Sequence, residues 1–376
     1  MQSLMTILRE VRDPREFNAR HDLASMLFIA LAATLCGAKS CVDIADFAEA
    51  HEADLATLVA LPYGTPSHDS FSRVFRLLDP GELAAAFAGF AQALRDGLGL
   101  GPAQVVAVDG KRLRRGYERG RVHMPPLLVS VWDAQTRLSL ATQAAASGRH
   151  AGNEVAMVLA ALKSVALQGA IVTADALHCH PAMAEAVQAR GADYALKLKG
   201  NHAPLLACAV AGFEAADAAG TLDTYELSQR GELSQRGHDR TECRRASVIA
   251  CPDSAPAFPG LAALGRIESR RTGASGRTSH EVHYVALSRH LSPERMLEVV
   301  RGYWSVENHL HRQLDVVFHE DNARTRRDHG PQNLGVIRRM ALDILRAHPD
   351  TRSIARKMKQ AAWNKDFFYD LFTYMR

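Results

Sequence analysis

The stretch QVVAVD, Gln104–Asp109, decides how the rest of the chain is read. It is a β-branched run whose alternation puts Val105, Ala107 and Asp109 on one face and Val106 and Val108 on the other. A second run of the same kind, AIVTAD at 170–175, also ends in an aspartate. Around these lie LLVSVWDA (127–134), RLSLATQA (137–144) and ADYALKLKG (192–200), each strand-like and bounded by turn residues. Helical patterns separate some of them, NEVAMVLAALKSVAL from 153 and PAMAEAVQARG from Pro181. The order of three strands, helix, strand, helix, strand is an α/β order compatible with an RNase H-like mixed-sheet core, and with several other mixed sheets.

Outward from this region the pattern changes twice. Residues 1–100 read as an all-helical N-terminal domain: LASMLFIALAATLCGA ends near Gly37, VDIADFAEAH and HEADLATLVAL follow, and Ser67 or Asp69 starts SFSRVFRLLD. PGELAAAFAGFAQALRDGLG adds a helix opened by Pro80 and closed by glycines. Residues 101–200 form the first part of the core. Residues 201–291 carry TLDTYELS, CRRASVIAC, ALGRIESRR and EVHYVALS, and read as a β-rich insertion. Residues 292–376 return to helices as the last part of the core. Within the insertion ELSQRG occurs twice in tandem, at 226–231 and 232–237; two copies are too few for a solenoid and read as a local duplication lengthening a loop or hairpin end.

Composition excludes several classes. With 376 residues, 47% hydrophobic and 23% charged, the chain fits a globular protein of two or three domains. A net charge of +4 permits nucleic-acid binding without demanding it. The six cysteines are scattered with no CxxC pair, so neither a zinc ribbon nor a disulfide framework follows, and reduced thiols in a cytoplasmic protein are expected. The charged N-terminus is no secretory signal, and the apolar run 23–38 is shorter than the ~20 residues of a membrane span.

Three acids stand out: Asp109, Asp175 and Glu307. Asp109-Gly110 after a strand is a common hairpin turn, yet KRLRRG does not resume as an apolar strand, and turn and metal ligand stand level. Asp175 reads as a helix cap or as a site residue at the carboxyl end of a strand, where open α/β sheets place their sites. Glu307, in YWSVENHLHRQLDVVF, borders the apolar stripe Val306, Leu310, Leu314 and Val317; most helix glutamates are simply solvated. Two divalent ions about 3.5–4 Å apart would use such a set, because Mg²⁺ prefers hard oxygen ligands and takes few carboxylates per ion. His178 and His180 form HxH beside Asp175, but without further ligands at metal spacing they read as loop histidines.

Together VVAVDGKRLRRG (105–116), VTADALHCH (172–180), ADYALKLKGNH (192–202) and YWSVENHLHRQLDVVFHEDNAR (303–324) resemble the signature segments of bacterial insertion-sequence DDE transposases, of the H-repeat-associated protein type. RHDLASMLFIALAATLCGA and PSHDSFSRVFRLLDP resemble the helical domain associated with that family, and RKMKQAAWNKDFFYDLF its C-terminus. The resemblance implies an RNase H-like catalytic core interrupted by a β-rich insertion, with Asp109, Asp175 and Glu307 as catalytic and metal-binding acids. It implies Mg²⁺ as cofactor, two ions with Mn²⁺ able to substitute, and DNA cleavage and strand transfer at transposon ends. The partners implied are double-stranded DNA and further copies of the chain in a synaptic complex. The tyrosine-and-glutamate signature of the related larger group is partial: Tyr303 stands before Glu307, but Val306 and Leu314 occupy its basic positions.

Basic runs lie near each acid in sequence. Lys111, Arg112 and Arg114 follow Asp109; Lys197, Lys199 and Asn201 follow the strand beside Asp175; Arg324, Arg326 and Arg327 follow the Glu307 segment, which also carries Tyr303 and His311. These are the candidate DNA contacts. Any one of them alone reads as a solvated face. Trp304 reads as a base-stacking residue or a packed one, and the helices of 41–78 as a helix-turn-helix or a plain packing domain. A nuclease that cuts without joining, and an inactive DNA-binding copy, are the rival readings.

Overall fold

Val105–Val108 are all buried and hydrogen-bonded in a parallel pair, as expected of an apolar β-branched run at the centre of a sheet. The computed structural model describes residues 2–15, 19–117, 125–144, 153–233, 238–273 and 276–375. Its strands are β1 (Val105–Arg112), β2 (Leu127–Asp133), β3 (Ser139–Ala144), β4 (Ile171–Ala174), β5 (Asp193–Leu198), β6 (Asp223–Leu233), β7 (His238–Ala250), β8 (Ala263–Thr272) and β9 (Thr278–Leu287). Two compact units interleave along the chain. One comprises Met1–Pro102, Asp109–Val165 and Val306–Arg376; the other comprises Ala103–Val108 and Ala166–Ser305.

In the second unit β1 pairs in parallel with β4, β4 in parallel with β5, and β5 antiparallel with β9, followed by antiparallel β8, β7 and β6. In the first, β2 and β3 are an antiparallel pair. Strand β1 passes from one unit to the other between Val108 and Asp109, so the neighbour order is β3-β2-β1-β4-β5-β9-β8-β7-β6. The first five positions have the RNase H-like order. The architecture is therefore the mixed α/β one expected from the sequence, with an all-helical N-terminal region and a β-rich insertion.

The β-rich segment joins the sheet of the second unit: β9 lies along β5, with Ala195 opposite Leu287 and Leu198 opposite Tyr284. The apolar edge of β5 would otherwise leave its peptide groups unpaired, and β9 satisfies them. The segment also begins with an unforeseen helix, Ala203–Ala219. Pro204 opens it, Leu205, Ala209 and Phe213 form its buried i, i+4 stripe, and Gly220 at φ 64° closes it in the left-handed conformation. The first ELSQRG copy lies in β6, whose residues 223–228 are exposed or half-buried, so none is a core position; residues 234–237 of the second copy lie outside the described residues.

The first unit is organised around two buried helices. Leu23–Leu35 is buried at every position and capped by the Asp22 carboxylate, which accepts from the Ser25 N–H. Gly330–Ala347 is buried from 330 to 345 and packs on Leu23–Leu35, His68–Leu77 and Pro80–Gly97. Leu334, Ile337, Met340 and Leu345 are each at most 3% exposed, and burial of such a side chain contributes about 1.5–3 kcal/mol. Asn333 Nδ2 donates to the carbonyls of Phe75 and Leu78 at 2.9 and 2.8 Å, tying this helix to the end of His68–Leu77. Ser67 caps His68–Leu77, accepting from the Ser70 N–H. HEADLATLVAL shortens to the helix Glu52–Leu55.

Candidate active site

β1 runs past Asp109 to Arg112, so Asp109-Gly110 is strand and not a hairpin turn. The Asp109 side chain is 16% exposed, with Oδ2 3.3 Å from His311 Nδ1. Burial, then the charges of Arg339 and Lys111, push His311 down to about 3, so its imidazole meets Asp109 uncharged. Its Nε2 is buried with no hydrogen-bond partner among the described residues. Gly110 has a specific requirement: a Cβ there would lie 2.6 Å from the Glu154 carboxyl group. Glu154 thus comes against the backbone beside Asp109, a neighbour the sequence did not suggest.

Asp175 follows the last residue of β4 and sits at the start of a short 3-10 turn, Ala176–His178. Its side chain makes no capping hydrogen bond, so the carboxylate is not consumed by the helix-cap role that position suggests. Lys199 Nζ lies 3.6 Å from Oδ1. Asn201 Nδ2 donates to the Ala176 carbonyl at 2.7 Å, linking the turn after β4 to the loop after β5. His178 is buried, and His180 caps Pro181–Gln188 through Nδ1, which accepts from Met183 N–H. The register Val108↔Ala174 makes Asp109 and Asp175 the residues directly following a paired position on two parallel neighbours.

The run expected as one helix around Glu307 is divided: helix Pro293–Ser305, a π-helical turn Val306–His311, then helix Arg312–Val316. Val306, Leu310 and Leu314 are fully buried and hold this segment down, while Glu307 is exposed. A π turn widens the helix and is common at functional sites. Arg346 supports it by donating to the His309 carbonyl. The Arg346 guanidinium lies 4.8 Å over the Trp132 ring, and burial brings its pKa down to about 10 against the pull of Asp343. Asp109 and Glu307 belong to the first unit and Asp175 to the second. Among the described residues no three His, Cys, Asp or Glu side chains form a group able to hold a metal ion.

The basic candidates divide into buried and exposed groups. Lys111 is 8% exposed, with Nζ 2.8 Å from Asp315 and 3.0 Å from Asp321. Burial raises Asp315 above the ordinary carboxylate value, against the lowering effect of Lys111. Tyr303 is also buried, and with Lys197 and Trp304 lines a cavity of about 20 Å³. Trp304 packs under Arg244, 4.6 Å from ring centroid to guanidinium. Arg112 is half-buried and donates to the Pro125 carbonyl. Arg114 is 80% exposed and 3.3 Å from Asp321; Lys199 is 56% exposed. Arg324, Arg326 and Arg327 are exposed, with Arg326 Nε donating to the Arg115 carbonyl at 3.2 Å.

This sheet and these segments fall within a known family. Residues 100–344 match the family described as "Transposase DDE domain", and residues 5–91 match the one described as "DDE_Tnp_1-associated". The chain belongs to the DDE transposase family. Among its relatives is the H repeat-associated putative transposase YhhI of Escherichia coli K12, 28% identical over 98% of this chain and 97% of that one. An uncharacterized protein in the dhlA 3' region of Xanthobacter autotrophicus is 34% identical over 69% of this chain and 86% of its own length. Among solved structures, a piggyBac transposase synaptic complex with hairpin DNA aligns at a TM-score of 0.44 and 12% identity, over all of this chain and 77% of that one.

Proposed function

We propose that the chain is a Mg²⁺-dependent DNA transposase that cuts at the ends of its own element and joins them to target DNA. The observation that supports this reading is the parallel register Val108↔Ala174, after which Asp109 and Asp175 are the next residues along their segments, inside a DDE transposase domain. Carboxylate oxygens of Asp109, Asp175 and Glu307 are the hard donors that Mg²⁺ takes, with Mn²⁺ as a substitute. The chemistry of this donor set fits, and Asp175 brings a carboxylate that no helix cap engages. Bound Mg²⁺ would supply activation of the attacking oxygen and charge stabilisation at the leaving oxygen.

The chain's own groups supply the rest. Uncharged His311 orients the Asp109 carboxylate from the segment that carries Glu307. Lys199 offsets the Asp175 charge and, with Asn201, faces phosphate oxygens of the strand being cut. Water attacks the phosphodiester, breaking the P–O3′ bond to leave a 5′-phosphate and a free 3′-hydroxyl. That hydroxyl then attacks a target phosphodiester, forming the new P–O bond as the target's P–O3′ bond breaks and releases a target 3′-hydroxyl. Working on two DNA ends calls for a dimer or larger assembly, and the substrate places the protein with DNA in the cytoplasm.

The test is Asp109→Ala. End binding should survive, while cleavage and joining of precut ends bearing free 3′-hydroxyls fall to background. Undiminished joining by this variant removes Asp109 from the site. A wild-type enzyme that cuts but never joins precut ends would be a nuclease.

A further inference from the structure

In the first unit, a groove of about 410 Å³ lies between the starts of two helices and the segment 324–327. Its lining includes five basic side chains, Lys39, Arg76, Arg324, Arg326 and Arg327, against one carboxylate, Asp69. We propose that this groove seats the phosphate backbone of duplex DNA, through charge and without reading base edges. The inference rests on the reading that the chain acts on DNA and adds a binding surface formed jointly by its helical N-terminal region and the segment after Glu307.

The charge balance carries the argument. Arg76 is engaged by Asp328 at 2.8 Å, and Arg326 is anchored by a backbone carbonyl, which leaves its charge uncompensated. No carboxylate contacts Lys39 Nζ or Arg324 among the described residues. Asp69 is 87% exposed, and its nearest partner is His68 at 3.5 Å. Excess positive charge lining a concave surface is costly unless a polyanion or counterions offset it. The helices Cys41–Ala50 and His68–Leu77 begin at the groove, with Ser40 and His68 in its wall; Asp43 and Asp69 in their first turns offset the helix dipoles, so the positive field comes from the basic side chains. Backbone tethers fix the shape: Arg338 donates to the Lys39 carbonyl, and the Lys39 N–H donates to Asp43.

The test measures binding of the full-length protein to a short duplex of arbitrary sequence across a KCl series. Each phosphate contact adds about 0.9 to the slope of log K against log salt. The double variant Lys39→Gln/Arg324→Gln should lower that slope by about 2 while leaving the melting temperature unchanged. The charge-preserving Lys39→Arg/Arg324→Lys variant should restore it. A wild-type slope in the glutamine variant overturns the groove assignment and leaves DNA binding intact. Weakened RNA binding with unchanged duplex binding overturns it in favour of RNA. A wild-type chain that binds no duplex at all defeats the DNA reading itself.

Discussion

Arg339 and Glu320 form an ion pair in which both side chains have 0% exposure, at 3.0 Å. Arg339 also donates to the Gly335 carbonyl at 2.9 Å and to Ser130 Oγ at 3.3 Å. It therefore joins the helix Gly330–Ala347, β2, and the 3-10 turn Glu320–Asn322 that follows the Glu307 segment. Replacing it with methionine keeps most of the packing volume but strands the Glu320 carboxylate, whose Oε2 already has no partner among the described residues. Removing one member of a buried pair costs about 3–5 kcal/mol, because the remaining charge is neither solvated nor neutralised. At roughly 2–4 °C per kcal/mol for a unit of this size, Arg339→Met should lower the melting temperature by about 6–20 °C. The mechanism makes a second demand. Arg339→Met/Glu320→Gln removes the stranded charge and should recover a large part of the loss, since swapping both members of a buried pair for uncharged groups is often near neutral. Calorimetry on the wild type, both single variants and the double variant gives the coupling energy directly. A loss under about 1 kcal/mol for Arg339→Met, or additive losses in the double variant, would refute the reasoning and reduce Arg339 to a packing residue.

Three further outcomes follow from buried polar groups. Lys111→Met leaves Asp315 and Asp321 without their shared cation and should cost about 3 kcal/mol, with partial rescue by Asp315→Asn in thermal melts. Asn333→Leu strands the carbonyls of Phe75 and Leu78 and should cost about 2–3 kcal/mol in urea titrations; an unchanged midpoint would show that those carbonyls find other donors. Burial raises Asp343 to about 6, so its contribution to stability is fully present below about pH 4 and is lost as pH rises through 6. The stability difference between wild type and Asp343→Asn should therefore shrink by on the order of 3 kcal/mol across that window, and a pH-independent difference would count against a neutral buried carboxyl.

How much of this was legible in the sequence depends on the range of the interaction. β1, β4 and β5 could be read because a strand buried on both faces needs an unbroken apolar run, and Val105–Val108 and Ile171–Ala174 supply one. The helix Ala203–Ala219 was missed although Leu205, Ala209 and Phe213 form a stripe, because its alanine-rich exposed face blurs the contrast that periodicity relies on. The fate of the basic residues was not readable at all. In sequence Lys111 and Arg114 look alike, three positions apart in one basic run. In the fold Lys111 is buried between carboxylates contributed by residues 315 and 321, while Arg114 is 80% exposed. Alternation along β1 puts successive side chains on opposite faces, and only the long-range placement of Asp315 and Asp321 decides which face holds counter-charges. The π turn at Glu307 is similar. No residue in VENHLH is a helix breaker, so the widening arises from tertiary demands: Val306 and Leu310 must stay buried while His311 reaches Asp109 and the His309 carbonyl meets Arg346. A regular α-helix would turn residues 306–311 through a different angle, and those contacts would not form together. The segment that carries the third acid is thus shaped by the partners of its neighbours, which is information no local pattern holds.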